Sequence, residues 1–345
     1  MSLPDSFAAW IQHYEEMAVR GIRSKEVAQK IDLHLHRFRD FFEAAYGHER
    51  ISACVKRDVL NWQTALQKEE LAAATINNHI ASLSGFLTWV HEQAPRLFAV
   101  GNPTRGISDL ALPPLEPRTL TEDQVRSLKN LCDRLERFHL LKGKAWSNQH
   151  PPLRANSRPK RDRAIVYVLL STGLRREELI QLDLSQLEPH TPEQLRQVRR
   201  ARIHEVQGKG KTERNVFLSS DARLALADYL EFERAQDVTT HVAALFLCAA
   251  GIPARAKDGR LSVRSINLIM EQIGRWHDAE QPDTSRHISP LRPHDLRHTF
   301  AFQLSKVTGA DAYELERRLG HRSPRYIQRY TNPPEQVAAT YIEDF

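Results

Sequence analysis

Pro293-His294-Asp295-Leu296-Arg297-His298-Thr299-Phe300-Ala301 is the stretch whose reading decides the fold. Leu296, Phe300 and Leu304 step by four, so a helix puts them on one face and seats that face in a core. His294 and Arg297 are three apart, and the same helix sets them side by side. An imidazole beside a fixed guanidinium suits a phosphate whose charge must be stabilised while a proton is taken up nearby. A lone helical histidine is usually structural, but a histidine paired with an arginine on an otherwise apolar helix is less often so.

Downstream, the helical pattern breaks at Gly309, Gly320 and Pro333-Pro334. In Leu319-Gly320-His321-Arg322-Ser323-Pro324 the glycine ends one helix and Ser323-Pro324 starts the next, which carries Tyr326 and Tyr330 four apart. Upstream, Ala201 to Val206 alternates, Gly208-Lys209-Gly210-Lys211 interrupts, and Asn215 to Leu218 resumes, the signature of a β-hairpin. The flanking glycines let the backbone at Lys209 approach a bulky partner, and a lysine at such a tip can deliver a proton or a point charge. The order of residues is not that of a P-loop. Ala164 to Leu170 is an apolar run leading into Ser171-Thr172-Gly173-Leu174-Arg175-Arg176-Glu177-Glu178-Leu179. Glu178 lies three residues beyond Arg175 and can brace it on a shared helical face. The segment 154–163 carries Arg154, Arg158, Lys160, Arg161 and Arg163 against Asp162, and reads as either a solvated loop or a phosphate-contacting one.

The first hundred residues read as helices. Ile31, Leu35, Phe38 and Phe42 hold one face, and Ile76, Ile80, Leu83, Leu87 and Val90 repeat the pattern behind a capping Thr75. Ala8, Ile11 and Met17 suggest a further short helix ahead of them. Leu112-Pro113-Pro114-Leu115-Glu116-Pro117 makes an extended, stiff connector. Thr121 and Gln124 then form a capping box at the head of a helix expected to run to about 136. The expected organisation is a helical domain over 1–110, a linker over 111–118 and a mixed domain over 119–345. The stretches 137–162 and 252–290 are expected to be elaborated loops.

The chain has 345 residues, 41% hydrophobic and 27% charged, with a formal net charge of +6. This excludes a wholly disordered or collagen-like chain, and the basic balance permits a polyanionic partner. No uninterrupted apolar run is long enough to span a bilayer, and the start of the chain lacks the pattern of a signal peptide. Cys54, Cys132 and Cys248 make neither a disulfide framework nor a zinc spacing, so a cytoplasmic protein without cofactor or metal is expected.

Taken in order, Arg175, Lys209, His294, Arg297, His321 and Tyr330 resemble the tyrosine recombinase (phage integrase) family. The resemblance lies in the arginine box at Thr172–Leu179, the hairpin lysine in Gly208-Lys209-Gly210, His-x-x-Arg at His294 to Arg297, and Leu319-Gly320-His321 with a tyrosine nine residues later. It is close over about 164–332 and general in the helical first part. It implies a mainly helical two-domain clamp with a small β-sheet, a core-DNA-binding domain ahead of a catalytic domain. It implies a site-specific DNA recombinase that makes a 3′-phosphotyrosyl link and a free 5′-hydroxyl, without metal or ATP. Arg175 and Arg297 would bracket the phosphate, Tyr330 would attack, and His294 would accept its proton. His321 would add a contact, Lys209 would protonate the leaving oxygen, and Glu178 would hold His or Lys geometry. The partner would be double-stranded DNA with paired half-sites, bound by a tetramer whose tail (Val337, Ala338, Tyr341, Ile342, Phe345) docks on a neighbour. Candidate DNA contacts are Thr75, Asn77, Asn78, Arg105, Arg118, Arg158, Lys160 and Arg161. The rival readings are a type IB topoisomerase and a DNA-binding regulator without catalysis. A metal-dependent nuclease fits poorly, since no carboxylate cluster is evident.

Overall fold

The computed structural model describes residues 4–112, 117–140, 156–208, 212–239, 242–252 and 256–320. Lys209, His321, Tyr326, Tyr330, the C-terminal tail and part of the proline-rich connector lie outside them. The chain divides into two compact units, Met1–Leu115 and Glu116–Phe345.

The first unit is helical: α1 (Phe7–Tyr14), continued by a wider π turn over Glu15–Val19, then α2 (Lys25–Tyr46), α3 (Lys56–Lys68) and α4 (Ala73–Gln93). Leu35, Phe38 and Phe42 of α2 meet Phe7, Trp62 and Phe86 in an aromatic core in which Phe7 packs edge-on against Phe38 and Phe42. Aromatic side chains bury large areas, and edge-on pairs add to that gain. Met17 is not part of this core; it sits in the π turn, exposed. Helix α4 begins at Ala73, so Thr75 lies inside the first turn and does not cap it; the flanking residue, Ala72, offers no side-chain acceptor.

The second unit packs helices around a three-stranded antiparallel sheet of order β1-β2-β3. Its elements are α5 (Glu122–Cys132), α6 (Glu136–His139), α7 (Pro159–Thr172), α8 (Arg176–Gln181), β1 (Leu187–Glu188), α9 (Pro192–Gln197), β2 (Ala201–Gly208) and β3 (Thr212–Leu218). There follow α10 (Ser220–Tyr229), the short α11 (Ala235–Asp237), α12 (Val263–Ala279), α13 (Pro293–Val307) and α14 (Ala312–Leu319). The capping box at Thr121 and Gln124 forms, but its helix stops at Cys132. The stretch 252–290 is not simply a loop: it holds the 17-residue α12, whose Ile266, Met270 and Ile273 enter the core.

Helix α7 is the central column. Ala164 to Leu170 are buried all round, which explains an apolar run without helical periodicity. The hairpin pairs Ala201 with Leu218 and Gly208 with Thr212, with an irregularity between Ile203 and Val206. The loop ahead of α13 is held by a polar clasp. Ser127 lies 2.7 Å from His277, His277 lies 3.0 Å from Asp278, and Asp278 accepts the backbone N–H groups of Ile288 and Ser289. None of the described helices is long and apolar enough to cross a membrane.

Candidate active site

Arg175 follows the left-handed turn that ends α7. Gly173 adopts φ +60°, and a Cβ there would lie 2.4 Å from Phe300 of α13. Phe300 thus packs directly on the backbone of the turn, and only glycine allows both the conformation and the approach. Gly173→Ala is expected to cost about 2–4 kcal/mol, from the left-handed penalty plus the clash, and to lower the denaturation midpoint accordingly. Arg175 is the residue ahead of α8, and the Glu178 carboxylate accepts its backbone N–H at 2.8 Å and its Nη1 at 2.7 Å. Its neighbour Arg176 turns away, to Glu177 and Asn267.

Arg297 reaches the same place from α13. It is only 3% exposed, donates to the Gly173 carbonyl, and donates to the Leu319 carbonyl at 2.7 Å. Its guanidinium is 4.0 Å from Glu178. A third arginine, Arg214 of β3, completes the cluster. It forks onto both Glu178 oxygens, at 3.0 and 2.6 Å, and its Nε donates to the Arg318 carbonyl at 2.9 Å. Burial alone would push the Glu178 carboxyl up. The Arg214 fork and the Arg175 contacts outweigh it and hold the group below the usual carboxylate range.

The end of α14 closes the cage. The carbonyls of Arg318, Leu319 and Gly320 accept from Arg214, Arg297 and Arg175 respectively, the last at 3.4 Å. Terminal helix carbonyls lack intrahelical partners and carry the negative end of the dipole, so cations are favoured there. Gly320 takes the left-handed conformation, and the next residue in the chain is His321. His294 is solvent-accessible on α13, and desolvation and then Arg297 lower its pKa, so its imidazole stays neutral below the usual histidine range.

Arg175, Glu178, His294 and Arg297 therefore come together, as the spacing suggests. Glu178 binds Arg175 and Arg214, while Lys209 and His321, whose geometry it was expected to hold, lie outside the described residues. Arg214 is the residue that sequence reasoning missed. Alternation along β3 carries a signal for it, since Arg214 shares the inward parity of buried Val216 and Leu218.

Most of the candidate DNA contacts are hydrogen-bonded inside their own units. Arg158 forks onto buried Asp237, and Arg161, itself buried, pairs with Asp162 and the Leu247 carbonyl. Lys160 bonds Glu136, and Arg118 donates to the carbonyls of Ile288, Ser289 and Pro290. The Asn77 side chain bonds both backbone groups of Leu110. Thr75 and Asn78 are exposed on α4. Arg105 lines a groove of about 1070 Å³ together with Lys56, Arg57, His91 and Asn102.

Two guanidiniums with an imidazole beside them, backed by a third, make a cationic cluster whose chemistry suits a phosphate. The phage integrase family model matches residues 118–336, and the chain belongs to that family. It is 30% identical over 276 residues to the tyrosine recombinase XerC of Corynebacterium efficiens, covering 80% of this chain and 72% of that protein. It is 24% identical to XerC of Bifidobacterium longum (strain DJO10A), over 99% of this chain and 96% of that protein. Among solved structures it is similar to the XerH site-specific recombinase in a post-cleavage complex with palindromic difH substrate (TM-score 0.68, 18% identity, 98% of this chain and 84% of that one). It is equally similar to the Tn1549 transposon integrase in complex with circular intermediate DNA (TM-score 0.68, 17% identity, 99% of both chains). The chain is a tyrosine site-specific recombinase, an enzyme that breaks and rejoins DNA strands.

Proposed function

We propose that Tyr330 attacks a DNA phosphodiester held by Arg175 and Arg297, giving a 3′-phosphotyrosyl link and a free 5′-hydroxyl. The 5′-hydroxyl of a second strand then attacks that link. The ester's energy stays in the protein–DNA bond, so no ATP is consumed, and the guanidiniums supply the charge that a metal ion would otherwise bring. The observation that carries this reading is the convergence of Arg175 and Arg297 on the end of α14, from which the chain runs directly to His321 and Tyr330. Planar guanidiniums match phosphate oxygens in pairs, and stabilising the pentavalent phosphate is the largest catalytic contribution.

In this reading His294 takes the phenolic proton, His321 adds a phosphate or proton contact, and Lys209 protonates the leaving 5′-oxygen. Residues 1–110 form the core-DNA-binding domain, 111–118 the linker and 119–345 the catalytic domain. The groove around Arg105, Lys56 and Arg57 carries basic side chains suited to the DNA backbone. The enzyme works in the cytoplasm as a tetramer on paired half-sites, with the tail from Val337 to Phe345 docked on a neighbour. The Tn1549 neighbour's circular intermediate DNA supports a strand-exchange task over simple relaxation of supercoils.

The test is direct. Incubate the chain in EDTA with a pool of nicked duplexes of randomised sequence, recover the DNA that stays attached through SDS, and map the attachment by peptide mass spectrometry. Attachment at Tyr330, with a free 5′-hydroxyl on the released strand, is expected. Attachment only when Mg²⁺ is present, or at another residue, overturns the assignment. A neutral His294 has a further consequence. Cleavage should hold its rate below the pH at which an ordinary histidine charges, then fall as the imidazole finally protonates. His294→Gln should lower the rate and flatten that acid limb.

A further inference from the structure

We propose that Arg214 is a positioning residue for Arg175, the group that keeps the charge of the phosphate cage from being neutralised by its own carboxylate. The inference rests on the function proposed above and adds to it a residue that touches no DNA.

Every nitrogen of the Arg214 guanidinium is spent within the protein, two on Glu178 and one on the Arg318 carbonyl. Its side chain is 7% exposed, against 24% for Arg175. Arg175 therefore has a face open to a phosphate and Arg214 has none. Glu178, 4% exposed, sits within reach of three guanidiniums. A buried carboxylate needs a paired cation, and it takes the one with the best geometry. With Arg214 in place, that cation is Arg214, gripped at both oxygens. Glu178 still orients Arg175 through its backbone N–H and one Nη1, but the charges of Arg175 and Arg297 remain uncancelled. Without Arg214, Glu178 would pair fully with Arg175 and draw it off the phosphate.

A second consequence concerns register. Arg214 lies on the hairpin whose turn carries Lys209, and it holds the carbonyl two residues before Gly320. A Cβ on Gly320 would stand 3.0 Å from Arg214 Nη1, so the guanidinium packs against the backbone immediately before His321. One side chain thus links β3, α8 and the end of α14.

The experiment compares single-turnover cleavage by the full chain on a duplex recovered from the randomised pool, with either a phosphodiester or a methylphosphonate at the scissile position. Replacing one non-bridging oxygen by methyl removes the charge that Arg175 is there to meet. Arg214→Gln is expected to slow cleavage of the phosphodiester on the order of 10²-fold, the usual cost of a misplaced catalytic group. On the methylphosphonate, variant and parent should cleave at nearly the same rate. In an Arg175→Ala background, Arg214→Gln should cost nothing further. If Arg214→Gln proves too unstable to assay, Arg214→Lys keeps a buried cation beside Glu178 and should show the same linkage-dependent loss to a smaller degree. Equal losses on both linkages, an additive double variant, or an unimpaired Arg214→Gln overturns the proposal. A parent that cuts neither duplex overturns the functional reading instead.

Discussion

Tyr330→Phe should abolish the covalent protein–DNA adduct while leaving DNA binding intact. The substitution removes one oxygen and keeps the ring, so whatever the residue packs against is retained. What is lost is the nucleophile, and a positioned nucleophile has no substitute among the arginines, which cannot be deprotonated in a protein. The phenol, with a pKa near ~10, is weak until its proton leaves, and in the proposed reading His294 is the group that takes it. Tyr330 lies ten residues past Gly320, whose carbonyl already touches Arg175. A segment of that length, at about 3.3–3.6 Å per residue, easily returns to the cage. Tyr326→Phe should leave the adduct in place. Filter binding should show parent and Tyr330→Phe with the same steep salt dependence, because phosphate contacts set that slope and Tyr330 is not a cation.

The parts of this site that the sequence disclosed are those whose partners are close along the chain. Arg175 and Glu178 are three apart, as are His294 and Arg297, and one turn of helix is enough to place each pair. The hairpin was legible from alternation and its glycines. The internal partners of the other polar candidates were hidden for the opposite reason. Arg158 read as part of either a solvated or a phosphate-contacting loop because Asp237, which binds it, lies 79 residues away. Asn77 looked like a free helix-terminal amide because Leu110, 33 residues on, takes both of its groups. Arg214 was hidden twice over. Its partner Glu178 is 36 residues upstream, and a strand arginine behind a basic turn passes for surface charge. Only its parity with Val216 and Leu218 sets it apart. The end of α7 is the converse: Gly173 directly follows the apolar run in the sequence, but the Phe300 ring that makes it irreplaceable comes from α13.

Arg297→Ala should reduce single-turnover cleavage by about 10³-fold or more, the scale of removing a guanidinium from a phosphoryl-transfer site. The variant would lose more than the proposed phosphate contact. Arg297 binds the Gly173 carbonyl at the turn before Arg175 and the Leu319 carbonyl at the turn before His321. It therefore ties together the two chain segments that bring the other catalytic groups in. Leaving those buried carbonyls without their donor costs on the order of 1–3 kcal/mol each, so a fall in thermal stability should accompany the rate loss. Arg297→Lys separates the two effects. Lysine returns the charge, but a single ammonium cannot span both carbonyls as the fork does. It should recover DNA binding and part of the stability, and remain well below the parent in cleavage. If Arg297→Lys instead cleaves like the parent, then charge alone is what the site requires, and the bracing of the two turns by this side chain has no part in catalysis.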